Sequence, residues 1–134
     1  MSIRKMCAAF LAAAAIASAV PALANPGDVV QGSVFIMRIN VPLGKLTVEK
    51  RAEIVQQRLI PIISIPHLTS SMVHEKKDGH DIAIYVGKHL LITCTPADGK
   101  ANGVSAKKQA DMWVASLKKT LPELTPTYTP PSGN

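Results

Sequence analysis

Cysteine is almost missing from this chain. It occurs at positions 7 and 94 only, and Cys7 lies in an N-terminal segment that reads as removable. One thiol then remains, no intrachain disulfide can form, and the domain must stand on its hydrophobic core. Long apolar runs are missing too. The alanine-rich run Met6 to Val20, without a charge, has fifteen residues before Pro21, short of the about 20 that a transmembrane helix needs. It follows the plan of a secretory signal instead: Arg4 and Lys5 precede it, Pro21 breaks it, and Ala22-Leu23-Ala24 supplies the small residues of a cleavage site. Residues 1–24 are therefore expected to be cleaved off between Ala24 and Asn25. That leaves no transmembrane segment and makes the mature chain periplasmic or secreted. Cys7 precedes the apolar run and does not end it, so no lipoprotein is expected.

Acidic residues are few, nine in all. No paired catalytic carboxylates are evident among them. Ser33 follows Gly32 without a nucleophile-elbow context, and no Ser/His/Asp arrangement emerges. Without Arg4 and Lys5, 13 Lys and Arg face those nine acids, a net charge of +4, ordinary for a soluble domain. Neither this charge nor the expected compartment points to nucleic acid, and no cofactor is expected. The 110 residues after the signal suffice for one small domain.

What is present reads as an α+β domain. Residues 25–32 form a leader, and Val34 to Asn40 alternates as a strand with two largely apolar sides. Pro42-Leu43-Gly44 ends it. Thr47 is a helix N-cap, followed by an apolar stripe of Val48, Ala52, Val55 and Leu59; Pro61 should stop or kink that helix near Ile60. Three strands follow: Ser71–Lys76, polar and at an edge, then Asp81–Val86 and His89–Thr95, joined by a Gly87-Lys88 hairpin turn. Residues 96–104 read as a glycine-rich loop. Ser105 caps a second helix to about Leu121, with Ala110, Trp113 and Leu117 in its buried stripe. The order β-α-β-β-β-α predicts a mainly antiparallel four-stranded sheet with two helices packed on one face. A single domain over 25–121 and a disordered Pro-rich tail over 122–134 complete the plan.

The run Leu46 to Leu59, LTVEKRAEIVQQRL, resembles the L-(S/T)-x-x-x-R-A-x-x-(I/V)-x-x-R-L segment of an extracytoplasmic α/β domain. That domain is found ahead of some bacterial small-conductance mechanosensitive channels. Its hairpin is matched by Val86 to Asp98, and its S-x-x-x-x-A-x-x-W helix by Ser105, Ala110 and Trp113. The resemblance spans most of 33–121. Ala97-Asp98 reverses the order of the family's Asp-Ala, and no pore helices follow. The resemblance implies a fold and an envelope location, with Arg51, Arg58 and Asp98 as the matching polar positions; it implies no activity.

Arg51 and Arg58 stand seven residues apart and share a helix face. As planar donors they suit a carboxylate or phosphate; the structural alternative is that one of them pairs with Asp98. Asp98-Gly99 and Asn102-Gly103 lack the register of a calcium loop and read as turn chemistry. His67, His74, His80, His89 and Cys94 are the possible metal ligands, with Asp81 as an addition. His80 and His89 flank a hairpin and His74 lies on the preceding strand, yet no ligand spacing such as H-x-H or H-E-x-x-H is present. Cys94 reads as a small buried hydrophobe. Lys107, Lys108, Lys118 and Lys119 give the second helix a basic exterior, a solvated face or an attractor of anionic envelope polymers.

The leading functional expectation is a non-enzymatic domain that binds or senses something at the bacterial envelope. Two alternatives stand beside it. One is a small metal-binding or hydrolytic envelope protein using His74, His80 and His89. The other is an accessory subunit whose exposed sheet face docks on a membrane protein.

Overall fold

A computed structural model describes residues 25–124; the signal segment with its Ala24 side of the cleavage site, and residues 125–134 of the tail, lie outside them. The fold is α+β, with two antiparallel sheets in place of the single four-stranded one. A hairpin pairs β1 (Asp28–Gln31) with β2 (Val34–Arg38), and a separate three-stranded sheet has the order β3 (Val73–Asp78), β4 (Asp81–Val86), β5 (His89–Cys94). The helices are α1 (Val48–Ile63), α2 (Pro96–Ala101) and α3 (Ala106–Leu124), with a short 3-10 turn at Ser70–Met72. Among the described residues no helix is long and apolar enough to cross a membrane.

Four sequence expectations need correction. The supposed leader contains β1, because Val29 pairs with Met37 and is fully buried. The helix α1 runs through Pro61 to Ile63. Pro61 costs one backbone bond in the last turn, and burial of Ile62 in the core holds that turn in place. In the same way α3 passes Pro122 and ends at Leu124, so the start of the tail is helical. The glycine-rich loop contains α2, whose Thr95 and Asp98 form a reciprocal capping box with Pro96 in the first turn. Gly99 is required there: a Cβ would sit 2.5 Å from the Ser105 backbone, so α2 packs against the start of α3 only through a glycine.

The helices divide the sheets between them and do not share one face. Helix α3 lies on β2 and across all three strands of the larger sheet, while α1 packs on β1 and on β5. Their apolar stripes meet in one core that includes Leu59, Ile62, Ile84, Leu117 and Leu121, each at most 1% exposed. Trp113 is in this core, as its place in the stripe predicts.

Two β-bulges explain why strict alternation misreads β2 and β5. The register slips between Val29 and Val30 opposite Phe35 and Met37, and again between Ile84 and Tyr85 opposite Leu90 and Ile92. Each slip leaves an extra residue, Ile36 and Leu91, and each turns two consecutive side chains inward. Ile36 and Met37 are both buried, as are Leu91 and Ile92, whereas Phe35 stays 49% exposed. Truncating Ile36→Ala should cost about 2–5 kcal/mol by the loss of a buried aliphatic chain. Phe35→Ala should stay within about 0.5 kcal/mol. Urea unfolding of the two variants measures this; equal losses would mean that β2 buries both faces.

Candidate functional site

The candidate polar residues separate into a sealed group and an open one. Arg51 and Asp98 form a fork-to-fork ion pair, with Nη1 2.8 Å from Oδ1 and Nη2 3.0 Å from Oδ2. Their side chains are 4% and 1% exposed. Further hydrogen bonds surround the pair. Arg51 also donates to the Val41 carbonyl at 2.8 Å and to the Thr93 carbonyl at 3.3 Å. Asp98 accepts from the Thr95 N–H at 2.9 Å and the Thr95 hydroxyl at 3.0 Å. Thus one ion pair ties α1, the segment before it, β5 and α2 together. Four of the five guanidinium N–H donors of Arg51 are used in this way, and the burial of both side chains closes the pair to a ligand.

Arg58 is different. It is exposed, and its Nη1 donates to the Leu91 carbonyl at 3.1 Å. Leu91 is the extra residue of the β5 bulge, so Arg58 satisfies a carbonyl on the outer edge of that strand. Two turns apart on α1, the arginines therefore serve alternate carbonyls, Leu91 and Thr93, of one sheet edge.

Between α1 and that edge lies a pocket of ≈ 150 Å³, walled by Leu43, Leu46, Ile54 and Leu90 with Arg58 and Thr93 beside them. Leu43 and Leu46 are 41% and 36% exposed. They are held by a reciprocal backbone bridge, with both N–H to O distances 2.9 Å, around the left-handed Gly44. Sequence reasoning passed over these leucines because they stand in a turn, outside any helical or strand stripe. Two leucines around Gly44-Lys45 were the available signal.

The histidines do not converge. His80 precedes β4 and His89 pairs with Val86 at its far end, a strand length of roughly 20 Å, so they cannot meet across the hairpin. His74 pairs with Tyr85 and stacks on its ring at 5.5 Å. His67 is exposed in the connection before β3. Among the described residues no group of three His, Cys, Asp or Glu side chains is placed to hold a metal ion.

On the basic face of α3, Lys107 is engaged by Asp111 and by Glu75, the latter at 2.8 Å; Asp111 first and Glu75 second push its ammonium up to about 12. Lys108, Lys118 and Lys119 are exposed. A shallower groove between β2 and α3 exposes Phe35 and Met112, 49% and 48% accessible. Cys94 is fully buried, as expected of a small hydrophobe, and its thiol lies 3.4 Å from the Ala106 carbonyl. Burial first, then the Asp98 carboxylate, push it up from an ordinary 9.0 to about 12, against the opposing Arg51.

Two tests follow from this geometry. Asp98→Ala should cost about 3–5 kcal/mol by leaving Arg51 buried and unpaired. Adding Arg51→Met should then cost at least about 1 kcal/mol less than the sum of the single losses, read from urea midpoints; simple additivity would show that the pair is not coupled. Cys94 should resist iodoacetamide in the native protein at neutral pH and react on unfolding. Because the folded thiol holds its proton where the unfolded one releases it, Cys94 makes stability fall as pH rises from about 9 towards 12. Cys94→Ala should flatten that slope.

No curated protein and no solved structure matches the chain. A family model described as a domain of unknown function, DUF8459, matches residues 28–124. These limits coincide with the first residue of β1 and the last of α3, so the match takes in every described strand and helix. The chain belongs to the DUF8459 family.

Proposed function

We propose that this protein is a non-enzymatic binding or sensing domain of the bacterial envelope, periplasmic or secreted, and that the pocket between α1 and β5 is its recognition site. The observation that carries the reading is the pair of leucines, Leu43 and Leu46, held in solvent by a rigid turn at the mouth of an apolar pocket. Hydrophobic side chains fixed outward beside a cavity suit a partner that covers them. The pocket walls offer aliphatic surface and cationic donors, and no carboxylate, imidazole or thiol lines them, which suits recognition over turnover. The signal-like segment and the resemblance to a channel-associated extracytoplasmic domain support the location.

A second reading, an accessory subunit docking on a membrane protein, is favoured by the exposed Phe35 and Met112 in the groove between β2 and α3. The two readings predict different surfaces.

Expressed whole in a bacterium with a periplasm, the protein should be released by osmotic shock with Asn25 as its first residue. Recovery from the cytosol with residues 1–24 intact would remove the proposed location. Isotope-labelled protein titrated with native envelope extract should show shifts at the amides of Leu43, Leu46, Ile54 and Leu90. Leu43→Ser/Leu46→Ser should abolish them. Shifts confined to Phe35 and Met112 would favour the accessory reading, and none at either surface would sink the binding proposal.

A further inference from the structure

The described part of the chain holds three arginines, and two of them grip a carboxylate with both arms of the fork. Arg51 does so with Asp98 in the interior, through Nη1 and Nη2. Arg38 does so with Asp28 on the surface hairpin, through Nε at 2.5 Å and Nη2 at 3.2 Å, and its guanidinium lies 5.9 Å from the Phe35 ring centre. Arg58 spends only Nη1, on the Leu91 carbonyl. Its Nε and Nη2, the edge that Arg38 uses on Asp28, have no acceptor among the described residues.

Arg58's own helix offers none either: the positions three and four residues away are Ile54, Val55, Pro61 and Ile62. An intrahelical carboxylate at those spacings is the ordinary partner of a surface arginine. Here they carry aliphatic side chains and a proline, and two of them, Ile54 and Val55, line the pocket beside Arg58. The Leu91 contact fixes the guanidinium at the pocket wall, so the vacant edge is held in a defined place at little further entropic cost. Arg51 and Arg58 are the charged residues lining the pocket, and both are cationic.

We propose that the vacant edge of Arg58 receives a carboxylate from outside the chain. The ligand is a carboxylic acid whose compact branched aliphatic or single-ring group fills the cavity among Leu43, Leu46, Ile54 and Leu90. A volume of ≈ 150 Å³ matches that head-and-body division, since an apolar cavity of about 150 Å³ accepts one benzene ring. A bidentate grip on the head group supplies the specificity. The same chemistry occurs in a free branched acid and in the C-terminus of a peptide ending in leucine. The inference rests on the α1–β5 pocket being the recognition site.

The test uses the chain from Asn25 onward, isotope-labelled, with isocaproate as probe and isocaproamide as its neutral match. Isocaproate should shift the amides of Leu43, Ile54 and Leu90. Arg58→Gln, which keeps an N–H donor for the Leu91 carbonyl, should weaken binding at least about tenfold, the loss of a charge-assisted pair. An unchanged urea midpoint for that variant shows that the fold is intact. Arg58→Lys keeps the charge without the fork and should fall between the two. Acetyl-glycyl-leucine, set against its amide, decides the source: tighter binding than isocaproate points to a peptide terminus, weaker binding to a free acid. If the amide binds as tightly as isocaproate, or Arg58→Gln changes nothing, the carboxylate is wrong and the pocket stands. If no probe moves the pocket amides, the ligand class is overturned, and the Leu43→Ser/Leu46→Ser comparison in envelope extract decides the pocket separately.

Discussion

A buried charge pair sets the terms for the rest of this fold. Arg51 and Asp98 lie 47 positions apart and almost wholly out of water. Desolvating two ions costs several kcal/mol each, and the cost is offset only where good pair geometry comes with further hydrogen bonds. That requirement reaches outward. The carboxylate needs the Thr95 N–H and hydroxyl, so Thr95 must cap α2. The guanidinium needs the Val41 and Thr93 carbonyls, so the segment before α1 and the edge of β5 must both approach it. Gly99 then allows α2 to close against α3. The partners of this pair come from α1, the segment before it, β5 and α2, so its hydrogen bonds depend on how those four meet.

The same logic of satisfied carbonyls governs the sheets. A hairpin and a three-stranded sheet leave more open edges than one continuous sheet would, and open edges invite pairing with other chains. The helices meet several of these edges with side chains. Gln56 of α1 donates to the Val30 carbonyl at 2.9 Å, Ser116 of α3 donates to the Ile36 carbonyl, and Arg51 and Arg58 serve β5. Both bulge residues, Ile36 and Leu91, thus have their carbonyls answered by a helix. The bulges and the helices are one device: the bulge turns an extra aliphatic chain inward, and the helix donates to the backbone that the bulge releases. β3 carries Lys76 and Lys77, exposed charges of the kind that discourage edge-to-edge association.

Much of this was legible in the sequence where a signal was local. Thr47 as N-cap, the stripe of α1, the β4–β5 hairpin, the Ser105 start of α3 and the burial of Cys94 all follow from spacing and side-chain chemistry within a few residues. The failures have physical causes. Pro61 and Pro122 lie in last turns, where tertiary burial of Ile62 and Leu121 outweighs one lost backbone bond. Thr95-Pro96-Ala97-Asp98 is a capping box that the nearby glycines disguised as loop. The bulges are invisible to a period-two reading because they break the period itself. The division into two sheets depends on contacts made by α1 and α3, which no local pattern records. Of the polar site residues, the sequence put Arg51, Arg58 and Asp98 together, and the structure brings two of them into contact.

The two α1 arginines show how little separates a structural residue from an available one. They have the same side chain, the same helix face and neighbouring carbonyls on the same strand. What differs is what stands opposite. Arg51 faces the capped start of α2, which brings Asp98 to it and closes it from water. Arg58, two turns on, lies past the reach of α2 and faces the turn leucines Leu43 and Leu46. The short helix that the sequence disguised as a loop is therefore the element that divides the pair. Its capping box fixes where Asp98 stands, and hence which guanidinium is neutralised. Availability at this site is a property of the placement of α2, and the chemistry of the arginine itself does not decide it.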